Sequence, residues 1–102
     1  MPSYYLFSDE TLLLRFQIRD ANNSLYLPHE AGLNLTYRSD CGTGWFSEDK
    51  ESKYVYFYFK PNITEQEIGY ILLHLNGTVQ IGDKKAEFTD TEKIYLLFKF
   101  NK

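Results

Sequence analysis

One cysteine, one tryptophan, one methionine and three prolines in 102 residues leave few ways to build a stapled or metal-held molecule. Cys41 alone admits no internal disulfide, so the fold must hold by packing, and a reducing compartment is the simpler expectation. Two histidines far apart in the chain, His29 and His74, make a poor ligand set with one thiol, so neither a metal nor a cofactor is expected. Basic charge is also scarce, with eleven Lys and Arg against fourteen Asp and Glu and a net charge of −3. Proteins that bind nucleic acid draw much of their affinity from neutralising phosphates, so a nucleic-acid partner is not expected, nor is an anionic membrane. No window approaches the roughly 18 apolar residues of a membrane span. Met1 is not followed by a basic segment and an apolar run, so no signal peptide is expected. The expected location is intracellular, in a host cytoplasm or a virion, rather than secreted.

What the chain has in abundance is aromatic surface. Nine Tyr and eight Phe bring the aromatic fraction to 18% within a hydrophobic fraction of 43%. Rings pack well on a pleated, half-buried surface, so this composition favours sheet. The length suits a single domain spanning residues 1–102, long enough to bury a core unaided. Four sequons, at Asn22, Asn34, Asn62 and Asn76, match the N-glycosylation acceptor pattern. Each asparagine also has a plain use in a turn or at an element end.

Alternation marks the strands. Tyr4–Phe7 is a short candidate. In Thr11–Arg19, Leu12, Leu14, Phe16 and Ile18 share one face and Arg15, Gln17 and Arg19 the other. Asp20–Asn23 reads as a turn, Ser24–Leu27 as a short strand stopped by Pro28, and Leu33, Leu35 and Tyr37 as the apolar face of another strand. Ser39–Ser52 is expected to be one long loop containing Trp45 and Phe46. Tyr54–Phe59 puts Tyr54, Tyr56 and Tyr58 on one face and Val55, Phe57 and Phe59 on the other, the pattern of a central strand covered on both sides. Thr78–Ile81 and Ala86–Phe88 suggest a hairpin, and Ile94–Phe100 a closing strand.

Between these strands, residues 64–76 carry the signals of one amphipathic helix. Thr64 and Glu67 are spaced as a capping box, with Ile63 and Ile68 as a hydrophobic staple. Ile68, Ile71, Leu72 and Leu75 form a single stripe, Glu65 and Glu67 occupy the first turn, and Gly77 supplies a stop. Against it, Gly69 in a helix interior costs about 1 kcal/mol relative to Ala. A strand with Ile71, Leu73 and Leu75 on one side is the competing reading. The expected fold is therefore α+β, an antiparallel β-sheet with a single helix over 64–76 on one face. The alternative is an all-β sandwich.

The block Tyr54–Phe88 carries two local resemblances. Tyr54-Val55-Tyr56-Phe57-Tyr58-Phe59 resembles the aromatic strand motif of RNA recognition motifs, with Tyr54 and Tyr56 at the base-stacking positions. Leu75-Asn76-Gly77, Ile81-Gly82 and Glu87-Phe88 resemble the end of that family's second helix and its last strand. The resemblance implies single-stranded RNA binding through the tyrosine row. It departs from the family in Asp20–Lys53, which contains no helical pattern. Read as strands, Glu67-Ile68-Gly69-Tyr70-Ile71 is similar to a segment of the starch-binding sandwich modules of pullulanases. Those modules rely on exposed tryptophan, and here only Trp45 could serve. Two incompatible families on one block identify neither.

No catalytic cluster stands out. Cys41 would need His29 or His74 beside it to act as a nucleophile. Gly42-Thr43-Gly44 is too short for a phosphate loop. The chain reads as a small non-catalytic, non-enzymatic binding or assembly domain with a protein partner, a profile that fits a phage or viral structural or host-interfering protein. Its expected contact residues are Trp45, Phe46, Tyr54, Tyr56 and Tyr58. An edge strand could also pair with another chain.

Overall fold

The computed structural model describes residues 3–100 as eight strands: β1 (Ser3–Phe7), β2 (Leu12–Arg19), β3 (Leu25–Tyr26), β4 (Leu33–Ser39), β5 (Gly42–Glu48), β6 (Tyr54–Pro61), β7 (Ile68–Ile81) and β8 (Lys84–Lys99). They form two four-stranded sheets, β1-β8-β7-β4 and β3-β2-β6-β5. Every pairing is antiparallel except β1 with β8, which runs parallel from Ser3 opposite Tyr95 to Phe7 opposite Lys99. Leu12, Phe57 and Phe59 of one sheet and Leu6, Ile71, Leu73, Ile94, Leu96 and Phe98 of the other form a single buried cluster. The protein is a β-sandwich. Its core contains no buried polar or charged residue among those described.

The expected α+β fold with a helix over 64–76 is thereby corrected to all-β. Residues 68–76 belong to β7, and the one helical segment among the described residues is a 3₁₀ turn at Pro28–Ala31. A helix would have buried Ile68, Ile71, Leu72 and Leu75 together. Instead Ile71 and Leu73 enter the core while Ile68 is 58% exposed. The period is two. Helix propensity is a weak preference that tertiary pairing overrides, and β8 offers β7 a backbone ladder from Ile68 opposite Leu97 to Ile81 opposite Lys84. Glu67 of the expected capping box and its neighbour Gln66 do other work. The Glu67 carbonyl accepts the Phe98 N–H at 2.8 Å, and the Gln66 side chain bonds Asp40 and the Ile68 carbonyl at 2.9 and 2.7 Å. These bonds hold the lead-in to β7 extended.

Gly69, a cost in a helix, is a requirement here. A Cβ at this position would lie 2.5 Å from Cys41 Sγ and 3.1 Å from the Phe98 ring. The buried cysteine occupies the space that a side chain would need.

The expected loop Ser39–Ser52 is likewise corrected, since its middle is β5, paired with β6 from Gly42 opposite Pro61 to Glu48 opposite Val55. Its glycines read as turn chemistry but serve packing. A Cβ on Gly44 would meet the Phe57 ring at 2.5 Å. The Gly44 N–H donates to the Tyr37 hydroxyl at 2.8 Å, which ties β4 of one sheet to β5 of the other. The Tyr37 ring lies 5.2 Å from Phe57 and 6.1 Å from Phe46, so this seam between the sheets is aromatic.

The remaining β5–β6 turn is built on Asp49, whose carboxylate accepts the Glu51 and Ser52 N–H groups. Those bonds, that from Glu51 first, lower its pKa. Lys53 takes a left-handed φ of 61° in the same turn. Its ammonium reaches both Glu30 oxygens at 2.9 Å, which fastens the turn to the 3₁₀ segment. The hairpin between β7 and β8 closes on Gly82-Asp83, with Gly82 at φ 65°, the left-handed position that a tight hairpin gives to glycine. Lys84 and Lys85, expected in that turn, are already part of β8. The closing strand expected at Ile94 begins ten residues earlier, at Lys84.

Candidate binding face

Strand β6 is central in its sheet, between β2 and β5. Its Val55, Phe57 and Phe59 are fully buried, while Tyr54, Tyr56 and Tyr58 stand half-buried on the other side. The expectation that both faces would be covered is corrected here. No third layer of described residues lies over the tyrosines, and the neighbouring strands extend their row. Trp45 of β5 and Leu13 of β2 lie opposite Tyr58, Ser47 and Arg15 opposite Tyr56, and Gln17 opposite Tyr54. Cross-strand neighbours share a face, so these side chains form one surface.

The two largest rings on it stack. Trp45 and Tyr58 are nearly parallel, 9° apart, with centroids separated by 5.3 Å. Trp45 and Leu13 are each 52% exposed. Tyr54 and Tyr56 are 6.1 Å apart and tilted by 42°, and the Arg15 guanidinium sits 4.9 Å over the Tyr54 ring. Among the described residues no hydrogen bond engages the hydroxyls of Tyr54, Tyr56 or Tyr58, which leaves them facing water as donors and acceptors. The surface offers flat apolar area edged by hydroxyls and Arg15, while the Gln17 amide is held by the Ser52 carbonyl and the Arg19 guanidinium.

Four of the five expected contact residues, Trp45, Tyr54, Tyr56 and Tyr58, are thus brought together. Phe46 is not among them. It points inward, 4.8 Å from Phe57, and packs against the core. Alternation along β5 separates it from Trp45. Leu13 and Arg15 belong to the same face but were not singled out from the sequence. The alternation of β2 placed Arg15 on its solvent side, and only the pairing register shows what it meets there.

The other sheet also has an aromatic exterior, with more of its rings covered by cations. Lys93 lies 5.2 and 5.0 Å over the rings of Tyr70 and Tyr95, and Lys99 5.5 Å over Tyr5. Lysines already occupy those ring faces. Tyr5, Phe7 and Ile68 are 70%, 47% and 58% exposed beside them.

The sites considered for other chemistry lie apart. His29 pairs with Glu48 at 3.4 Å, and His74 Nδ1 bonds the Thr91 hydroxyl at 2.8 Å. Cys41 has neither histidine among its partners. Its thiol is buried, 3.3 Å from Ser39 Oγ and 3.7 Å from the Tyr70 carbonyl. Burial pushes the thiol pKa up, the Asp40 carboxylate adds to that shift, and the bond to Ser39 opposes it. In the folded protein Cys41 is therefore expected to resist a bulky disulfide reagent at mildly alkaline pH and to react only as fast as the molecule opens. Labelling as fast as that of a free thiol would contradict this placement. Among the described residues no group of three or more His, Cys, Asp or Glu could hold a metal ion. No helix of the described residues is long and apolar enough to cross a membrane. The sequon residues Asn22, Asn34, Asn62 and Asn76 are all exposed, and Asn34 and Asn76 face each other across β4 and β7. No protein-family model matches this chain, and no curated protein is significantly similar to it.

Proposed function

We propose that the protein is a β-sandwich binding module whose ligand is a glycan chain laid across the outer face of β5, β6 and β2. The supporting observation is the half-exposed Trp45 stacked on Tyr58 in line with Tyr56 and Tyr54. A sugar ring has an apolar C–H face and a polar rim. Its C–H groups suit the negative face of an aromatic ring, and its hydroxyls need donors and acceptors at the ring edges. This surface supplies both, with three phenol hydroxyls and the Arg15 guanidinium around the rings. Successive tyrosines on one face of a strand stand about 7 Å apart, so the row can follow an extended chain. The acidic net charge disfavours RNA as the ligand.

Affinity electrophoresis in gels containing soluble α- and β-glucans tests the proposal, with fluorescence of the single Trp45 as a second signal. The wild-type chain should be retarded by at least one glucan. Trp45→Ala and Tyr58→Ala should each weaken binding roughly tenfold or more, the scale of a central contact residue. Wild-type mobility unchanged by every glycan would sink the idea. A second reading, a protein partner on the opposite sheet, is favoured by the exposed Tyr5, Phe7 and Ile68. Capture of a protein that survives Trp45→Ala but is lost in Ile68→Asp would carry that reading instead.

A further inference from the structure

The β7–β8 hairpin outgrows its sheet. On one side β4 accompanies β7 only as far as Gly77, opposite Leu33. On the other, β1 accompanies β8 only from Tyr95 to Lys99. From Lys84 to Ile94 the outer edge of β8 therefore has no neighbouring strand among the described residues, and its tip is a two-stranded ribbon. The molecule measures 58 × 26 × 19 Å, in keeping with such a projection. A two-stranded ribbon is marginal in water and an open edge invites another strand. Another extended backbone can replace the water on this whole row of N–H and C=O groups at once.

The side chains along the edge indicate which polypeptide. Lys84, Ala86, Phe88, Asp90 and Glu92 share the inner face of β8, since they lie opposite Ile81, Val79, Gly77, Leu75 and Leu73. The basic residues stand at one end and the acidic ones at the other. None of Lys84, Lys85, Asp90 or Glu92 forms an ion pair among the described residues. Phe88, at the midpoint, is 39% exposed and borders a mixed cleft of about 480 Å³, lined by Leu14, Phe16, Leu75 and Ile94 and by Arg19, Asp90 and Glu92.

The geometry points to a second copy of this chain as the occupant, paired antiparallel through β8 about a two-fold axis at Phe88. In that register Lys84 of each copy faces Glu92 of the other, Ala86 faces Asp90 and the two Phe88 rings meet. On the outer face Lys85 faces Thr91 and Glu87 faces Thr89. No like charges oppose each other. A shift of two residues one way sets Glu87 against Glu87; a shift the other way sets Lys85 against Lys93. Parallel pairing aligns the basic ends. The partner's β1 pairs only from its Tyr95 onward, which in this register falls beyond the hairpin turn, so the two hairpins pass without meeting it. The two β1-β8-β7-β4 sheets become one continuous sheet, and each ribbon gains a third strand.

Sedimentation equilibrium on the full chain over a range of concentrations tests this, with circular dichroism to confirm that each variant is folded. Wild type should be dimeric. Lys84→Glu and Glu92→Lys should each raise the dimer dissociation constant roughly tenfold, because each change sets like charges opposite at two symmetric positions. The double variant Lys84→Glu/Glu92→Lys should return most of the affinity. Phe88→Cys should crosslink two chains under mild oxidation, whereas Ala86→Cys, which faces Asp90, should not. A chain that stays monomeric at every concentration, whether or not some other polypeptide occupies the edge, overturns the inference. So does a dimer indifferent to both single reversals, or one in which cysteine at position 86 crosslinks as well as cysteine at position 88.

Discussion

Replacing Phe57 with alanine is expected to destabilise the protein by about 3–5 kcal/mol, the usual cost of emptying a fully packed aromatic site. Phe57 is 0% exposed and sits where the two sheets meet, with ring centroids of Tyr37 at 5.2 Å, Phe46 at 4.8 Å and Phe59 at 6.2 Å. Its ring also lies over Gly44. The vacated volume cannot readily collapse, because β5 and β6 are held by their own ladder and β4 by the Tyr37–Gly44 bond. A domain of this size has about 5–15 kcal/mol of total stability, so this one change removes a large share of it. Thermal unfolding should show the midpoint lowered by more than about 12 °C, taking about 4 °C per kcal/mol as the low end. A fall of only a few degrees would mean that the interior is far softer than its burial indicates. Phe46→Ala, at a partly buried site of the same cluster, should cost less.

The second large effect is expected at Gly69. Gly69→Val places a branched side chain where a Cβ already stands 2.5 Å from Cys41 Sγ and 2.7 Å from Cys41 Cβ. Cys41 is only 1% exposed, and its thiol is tied to Ser39 and Tyr70, so it has no free space to move into. Overpacking of a tight core costs about 1–3 kcal/mol and can exceed that when the neighbour is fixed. Denaturant unfolding of Gly69→Val, Cys41→Gly and the double variant tests the cause. The double variant should be more stable than the sum of the single losses predicts, since removing the Cys41 side chain opens the space that valine needs. Simple additivity would show that the contact is not what makes glycine necessary.

These two residues also show how far the fold could be read before its coordinates. Phe57 belongs to a strand whose alternation is unambiguous, and Leu12–Ile18, Leu33–Tyr37 and Ile94–Phe98 are legible for the same reason. Each sets apolar side chains two residues apart against polar or half-buried ones. Gly69 lies where two periods coexist. Ile68, Ile71, Leu72 and Leu75 satisfy a helix, Ile71, Leu73 and Leu75 satisfy a strand, and the local start and stop residues all argue for the helix. What decided for the strand is β8, the other arm of a long hairpin, whose register sets Gly69 opposite Leu96, beyond the reach of any local pattern. The glycines of β5 misled for a related reason. Beside large rings a strand needs small residues, and small residues in sequence resemble a loop.

The binding face was legible in part. Alternation puts Tyr54, Tyr56 and Tyr58 on one side of β6, and Trp45 is the one tryptophan of the chain. The separation of Trp45 from Phe46 became readable only once β5 was a strand, because a loop does not assign neighbours to opposite faces. Leu13 and Arg15 join the surface through register, which neither composition nor spacing reveals.

The parallel junction of β1 with β8 bears on how the protein is made. Of the described strands β1 leaves the ribosome first and its mate last. The edge that receives Ser3–Phe7 does not exist until Tyr95–Lys99 has been synthesised. Throughout elongation the segment Tyr4-Tyr5-Leu6-Phe7 has nowhere to dock, a sticky leader exposed to whatever the nascent chain meets. Native assembly must therefore wait until nearly the whole described chain has emerged, and stalling shortly before Tyr95 would strand a species unable to complete its first sheet.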